Sequence, residues 1–295
     1  MLVSILINNY NYARYLRYCL DSALAQSHPE VEVILYDDGS TDDSVDIAQN
    51  YADRIILIAN PNYGREPGFN QANAIYQAST RSRGEIICLL DSDDAFKKDK
   101  VAEVVKTFQS DPALVLVQHK AEYIDQNDHS LGTITNEVFR SSDPFRVMRF
   151  TGRFNRLFYQ TSSLSFRRDY LARLLPLPED GLEKIWADVR LSREAVCNGK
   201  MATLDAPLTF YRQHGTNDSL KNLDPVYRAD IKRQFQKLLN RLTTQYGLNP
   251  IRVSGSRRFY LFANLRLLIY LMLGPDTLRR KLHIVGNLLS KMRQD

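Results

Sequence analysis

The sequence predicts an α/β fold: a mainly parallel central sheet flanked by helices, followed by a C-terminal helical extension. Three observations predict it. Short apolar runs alternate with helical patterns over the first ~120 residues, the pattern of a parallel sheet covered by helices. From Pro225 onward the pattern is helical only. At 295 residues, 44% hydrophobic and 25% charged, the chain is large and apolar enough to bury a core without staples. That composition argues against disorder, collagen-like repeats and a disulfide scaffold.

The elements follow in order. Val3 to Ile7 is the first strand, and Tyr15, Leu16, Cys19, Leu20, Ala23 and Leu24 recur at helical spacing. Val31 to Tyr36 is the second strand. Thr41 and Asp42 can cap a helix running to Tyr51. Arg54 to Ile58 is a third strand, with a helix over Phe69 to Ser79 after it. Glu85 to Leu90 is the fourth strand, Lys97 to Phe108 a helix, and Leu114 to Val117 a fifth strand. Residues ~120 to 225 are mixed, with a helix from Leu182 to Cys197. Beyond Pro225, Gly247 with Pro250 and Gly274 with Pro275 punctuate three helices. The predicted division is therefore a catalytic region 1–224, in halves 1–120 and 121–224, and a helical extension 225–295.

Cys19, Cys88 and Cys197 are odd in number and widely spaced. No Cys-x-x-Cys pair occurs, which excludes zinc ribbons and thioredoxin-like motifs and fits a reducing compartment. Met1 to Ile5 lacks a basic region and a cleavage site, so it is expected to be a strand and not a signal peptide. The longest apolar run, Phe259 to Leu273, is 15 residues and is broken by Asn264 and Arg266. That falls short of the ~20 residues a spanning helix needs.

Chemistry is expected where the strands end, because ligands of such sheets bind outside the carboxyl ends of the strands. The second strand runs into Asp37-Asp38-Gly39-Ser40-Thr41-Asp42. Such a run also suits a turn that caps the next helix. The fourth strand runs into Asp91-Ser92-Asp93-Asp94. Period-two alternation can put Asp91 and Asp93 on one side. Two carboxylates there repel each other, and a divalent cation, magnesium or manganese, removes that penalty. One cluster can hold a base and ribose, the other a metal-bound diphosphate. Neither Gly-x-Gly-x-x-Gly nor a Walker sequence is present, which disfavours dinucleotide and P-loop sites.

These residues resemble family 2 glycosyltransferases of the GT-A (Rossmann-like) fold, over roughly residues 1 to 220. The opening strand with Asn8-Asn9-Tyr10-Asn11, the turn Asp37 to Asp42, and Asn62-Tyr63-Gly64 followed by Asn70 are similar to that family's nucleotide-binding motifs. Gly84-Glu85 leading to Asp91-Ser92-Asp93-Asp94 resembles its Asp-x-Asp motif. Gln160-Thr161-Ser162-Ser163 with Phe166-Arg167-Arg168 resembles its acceptor-side segment. Tyr211-Arg212-Gln213-His214, running on to Asn217 and Ser219, resembles its closing motif. The resemblance implies inverting transfer of a sugar from a nucleotide-sugar donor, with UDP- or dTDP-sugars favoured. The acceptor would be a saccharide or a lipid-linked saccharide. It implies that Asn8, Tyr10, Asp38 and Asn70 bind the donor. Asp91 and Asp93 would engage its ribose and the metal, with Asp93 the direct ligand and His214 adding a contact. Residues 1–120 would be the nucleotide-sugar half and 121–224 the acceptor half.

Inversion needs one carboxylate to deprotonate the acceptor hydroxyl. Glu179-Asp180 matches the family's Glu-Asp pair literally. Asp188 matches it by spacing to Gly199 and Tyr211, with Ala187 where the Glu is expected. Asp188 is the favoured base. The stretch Ser79 to Arg83 is longer than the family pattern and is expected to be a surface loop. Trp186, the only tryptophan, could stack on an acceptor sugar or pack in the core. His28, His119, His129 and His283 fall in no motif.

The net charge of +5 divides unevenly. Residues 1–224 carry 25 basic and 31 acidic side chains, and residues 225–295 carry 14 and 3. The acidic part fits a carboxylate site. The basic part contains no nucleic-acid motif, so no nucleic-acid partner is expected. Arg279, Arg280, Lys281, Lys291 and Arg293 suit either an amphipathic helix on an anionic membrane or a solvated helical cap. The expected location is the cytoplasm, with a peripheral contact at the inner face of the membrane. The competing functions are a silent nucleotide-sugar-binding or assembly protein and a nucleotidyltransferase. The basic Gly-rich loop expected of the latter is missing.

Overall fold

The computed structural model describes residues 1–135, 158–215 and 224–248. The chain divides into two compact units: Met1–Asn136 with Tyr159–Phe235, and Glu137–Phe158 with Gln236–Asp295. The first unit holds the sheet and every described candidate residue.

Nine strands form one sheet: β1 (Val3–Asn9), β2 (Val31–Asp37), β3 (Ile56–Ala59), β4 (Ile86–Asp91), β5 (Ala95–Phe96), β6 (Leu114–Ile124), β7 (Ser130–Ile134), β8 (Leu164–Arg167) and β9 (Lys200–Arg212). Their order is β3-β2-β1-β4-β8-β6-β9-β5, with β7 paired to β6. The described helices are α1 (Ala13–Leu24), α2 (Ser44–Gln49), α3 (Pro67–Arg81), α4 (Lys100–Ser110), α5 (Arg168–Leu174), α6 (Ala187–Asn198) and α7 (Pro225–Gln245). The sheet is parallel where the alternation predicts it, through β3, β2, β1 and β4. Beyond β4 it is mixed, because β8 runs antiparallel between β4 and β6.

Both faces of the parallel half are covered. Ile5, Ile7, Leu35 and Leu90 share one core cluster with Leu16 and Leu20 of α1 and Val101, Val104 and Phe108 of α4. Leu6, Ile34 and Leu89 share the other with Ala72 and Ile75 of α3 and Leu191 of α6. This is why those strands read as unbroken apolar runs: successive residues point into opposite cores.

Several bounds differ from expectation. The third strand begins two residues late. α2 is short: Asp42 Oδ1 accepts the Ser44 N–H at 3.1 Å, while Thr41 is held by Asn11. α6 begins at Ala187 and not at Leu182, because Trp186 is extended at ψ 148°. The stretch Ser79 to Arg83 is not a loop extension: α3 runs on through Arg81. Arg83 pairs with Glu32 at 3.0 Å, and its neighbour Gly84 donates to Ser4 Oγ. Those contacts lie at the amino ends of β1, β2 and β4, away from the predicted site. Among the described residues, no helix is long and apolar enough to cross a membrane.

Candidate active site

Parallel register brings the strand ends together. Asn8 pairs with Tyr36 on one side and with Asp91 on the other, and Asn9 pairs with Asp37. The asparagines of β1 therefore stand between the two carboxylate clusters.

At the end of β2 the two aspartates part company. Asp37 closes the turn: it accepts Ser40 N–H at 2.8 Å, Ser40 Oγ–H at 2.7 Å and Asn9 Nδ2–H at 2.7 Å. Asp38 instead reaches the 62–63 loop, accepting Tyr63 N–H and Asn62 Nδ2–H, each at 3.2 Å. Burial pushes its carboxyl up. Gly39 makes this contact possible, since it sits at φ +72° and a Cβ there would lie 2.2 Å from Asn62 N.

Asp38 lines a cleft of about 520 Å³ together with Asn8, Tyr10, Asn62, Asn70 and Trp186. All four candidate donor-binding residues that the resemblance supplied from outside the Asp-x-Asp motif thus face one cavity. Tyr10 is 47% exposed. Asn8 Oδ1 and Asn70 Oδ1 are buried without a hydrogen-bond partner. Buried acceptors are normally paired, so these two atoms are suited to ligand hydroxyls or N–H groups.

At the end of β4 the chain turns at Ser92, so strand alternation does not carry through to Asp93. The carboxylates are nevertheless close. Asp91 Oδ1 accepts Asn8 Nδ2–H at 2.9 Å and Gln71 Nε2–H at 3.2 Å. Burial, then the Asp93 charge, raises its carboxyl to about 7, and Asp188 adds to the effect. Asp94 is structural: Ser162 Oγ–H donates to it at 2.6 Å and Arg212 N–H at 2.9 Å.

Asp93 meets the closing motif. Its Oδ2 lies 3.0 Å from His214 Nε2, and its backbone carbonyl accepts Arg212 Nε–H at 2.7 Å. The His214 ring sits against Tyr15 at 4.9 Å and Tyr12 at 5.6 Å. Asn217 and Ser219 of the same motif, and the basic positions Arg279 to Arg293, lie outside the described residues.

Among the described residues, no group of three or more His, Cys, Asp or Glu side chains could hold an ion by itself. Asp93 and His214 still fit a divalent cation of the kind predicted. Magnesium-like ions take one or two protein ligands and complete their shell with substrate phosphates and water.

Asp188 occupies the first turn of α6. Burial raises its carboxyl, opposed by Arg193 and by hydrogen bonds from Val189 N–H and the Thr161 hydroxyl. The rival pair is engaged elsewhere. Asp180 pairs with the buried Arg190 at 3.2 Å, and Glu179 with Arg65 at 2.8 Å.

Gln71 joins the two carboxylate centres. Besides Asp91, it donates to Thr161 Oγ1 at 3.1 Å, while its Oε1 accepts the Ala187 N–H at 3.0 Å. Sequence reading missed it: a lone glutamine on a helix carries no signal. Thr161, Ser162 and Arg212 lie inside quoted motifs, but their partners could not be named from spacing.

A mixed sheet flanked by helices, with its carboxylates gathered at one strand edge, is the GT-A architecture. The chain belongs to glycosyl transferase family 2, whose family model matches residues 4–175. An uncharacterized glycosyltransferase of Nostoc sp. is 35% identical over 240 residues, covering 79% of this chain and 71% of that one. The chondroitin synthase of Pasteurella multocida is 37% identical over 268 residues, 88% of this chain but 26% of the synthase. Among solved structures, S. aureus TarS residues 1–349 with UDP superposes with a TM-score of 0.60 at 17% identity, over 95% of this chain and 77% of that one. The mannosyltransferase PcManGT from Pyrobaculum calidifontis, in complex with GDP-Man and Mn2+, gives 0.57 at 17% identity, over 98% and 80%. These two structures share the fold.

Proposed function

We propose that this glycosyltransferase is metal-dependent and inverting, and that it moves a sugar from a nucleoside-diphosphate donor to a hydroxyl acceptor in cell-surface polysaccharide or glycolipid synthesis. The observation that carries the reading is the hydrogen-bonded line from Asn8 through Asp91, Gln71 and Thr161 to Asp188. It ties a donor-side carboxylate to a base-side carboxylate beside one cleft.

In this reading the nucleoside lies against Asp38, Asn8 and Tyr10, with Asn70 reaching the donor from α3. The diphosphate points to Asp93 and His214. A divalent cation held there would offset the charge that grows on the departing diphosphate. Asp188 accepts the proton of the acceptor hydroxyl as that oxygen attacks the anomeric carbon. Burial raises the Asp188 carboxyl, so its ionised form accepts a proton more readily than an ordinary aspartate does. Gln71 holds the base and the donor carboxylate in one register, so attack and departure are aligned.

The uridine preference draws support from TarS, solved with UDP and with UDP-GlcNAc. The guanosine donor of PcManGT keeps GDP-sugars in the test set. The names chondroitin synthase and hyaluronan synthase among the relatives support polysaccharide synthesis. The basic extension 225–295 would bring the enzyme to an anionic membrane surface carrying the acceptor.

The test is a thermal-shift screen of UDP-, dTDP- and GDP-sugars with and without manganese. A donor that stabilises the protein more with manganese supports the reading. No shift with any donor contradicts it.

A further inference from the structure

We propose that Trp186 is the platform on which the acceptor stacks, and that the acceptor is therefore a saccharide offering the apolar face of a pyranose ring. This rests on the transferase reading and adds to it the residue that receives the acceptor.

Trp186 is the only tryptophan in the chain, and it lines the cleft two residues before Asp188. Its backbone is anchored from several sides. The next residue, Ala187, donates its N–H to Gln71 at 3.0 Å, and the Trp186 carbonyl accepts Arg190 N–H at 3.1 Å. Just upstream, Lys184 N–H donates to Gln234 Oε1 at 3.0 Å, and the Lys184 ammonium pairs with Asp230 at 2.8 Å. The 183–185 backbone also presses on α3. A Cβ at Gly68 would lie 2.7 Å from the Glu183 carbonyl oxygen and 2.9 Å from Ile185 C.

The indole itself is not engaged in that way. It is partly exposed. Among the described residues, its ring stacks on no other ring or cation and its N–H makes no hydrogen bond. A tryptophan that serves the core buries its ring and pairs its N–H. Here a fixed backbone presents a large apolar ring with an unused donor to a cleft. That combination suits a sugar: the C–H face of a pyranose covers the ring, and a hydroxyl or ring oxygen accepts from the indole N–H. Little ordering cost remains, because the platform is held before the ligand arrives. Asp188, the group that would deprotonate an acceptor hydroxyl, follows two residues along the chain in the first turn of α6.

The experiment compares the 295-residue chain with its Trp186→Ala and Trp186→Phe variants on a broad glycan array, with UDP, GDP or dTDP supplied in turn. Nucleotide-induced thermal shifts serve as the control for folding and donor binding. Wild type is expected to bind a set of saccharides. Trp186→Ala should weaken those same saccharides roughly tenfold or more, about what one lost aromatic contact removes. Trp186→Phe should retain most of the binding, and nucleotide shifts should stay unchanged in both variants. Saccharides bound in solution should also shift the single-tryptophan emission to the blue. Equal glycan binding by wild type and Trp186→Ala would overturn the proposal. So would a wild type that binds nucleotide but no saccharide. Trp186-dependent glycan binding without any nucleotide binding would uphold the platform while removing the transferase reading beneath it.

Discussion

His214 Nε2 stands 3.0 Å from Asp93 Oδ2, across 121 residues of chain. The contact is made by β5 and β9. Their antiparallel pairing sets Ala95 opposite Phe210, so the turn after β4 and the exit from β9 run side by side. Arg212, fully buried, fastens the two by donating its Nε–H to the Asp93 carbonyl and its N–H to Asp94. An imidazole and a carboxylate are thereby held as a pair, the one that we propose diphosphate oxygens would complete into a cation site.

Asp93→Ala and His214→Ala should each abolish the manganese-dependent part of nucleotide affinity and leave metal-free nucleotide binding in place. Calorimetric titration with and without manganese checks this. Unchanged manganese enhancement in both variants would contradict the assignment.

Asp188→Asn should lower turnover by about 10²–10⁴-fold, the range for losing a general base, with donor affinity unchanged. Asp180→Asn should stay near wild-type turnover, because Asp180 serves the buried Arg190. Its cost should appear in stability, through the loss of a charge partner for that guanidinium. Steady-state kinetics and urea unfolding of the two variants separate the roles.

Turnover should also fall with acidity. The Asp188 carboxyl is raised by burial, and only its ionised form accepts a proton. The acid limb of kcat should therefore lie above the ordinary aspartate range, with activity present above that limb and lost below it. The limb should vanish from the residual activity of Asp188→Asn. A pH–rate profile of both proteins measures it.

Gln71→Leu keeps the side-chain volume but strands the Ala187 N–H. It should destabilise the fold by about 1–3 kcal/mol, the cost of an unsatisfied buried donor. It should also reduce turnover less in the Asp188→Asn background than in wild type, because part of its effect passes through the base. A double-mutant cycle in donor hydrolysis tests the coupling.

Much of the parallel half was legible in the sequence, because β1, β2 and β4 carry continuous apolar runs that end in polar clusters at a shared edge. Asn8, Tyr10, Asp38 and Asn70 were assigned to the donor by the family resemblance, and the fold lines one cleft with all four. What local pattern could not show was contact between distant segments. Gln71 meets Thr161 across 90 residues and Ala187 across 116. The antiparallel insertion of β8 was hidden too, since four residues carry too short a period to fix direction. Trp186 suits core or cleft by sequence alone, and the fold sets it on the cleft. The start of α6 was misjudged because Leu182 and Ile185 are buried at helical spacing while belonging to the turn before it.

The central claim is transfer from a nucleotide-sugar with Asp188 as base, and release of nucleoside diphosphate tests it most directly. Wild type, supplied with manganese and a panel of UDP-, dTDP- and GDP-sugars, should release nucleoside diphosphate from at least one donor, and Asp188→Asn should release it about 10²–10⁴-fold more slowly. Equal release by the two proteins, or none by wild type from any donor in the presence of saccharide acceptors, would contradict the account.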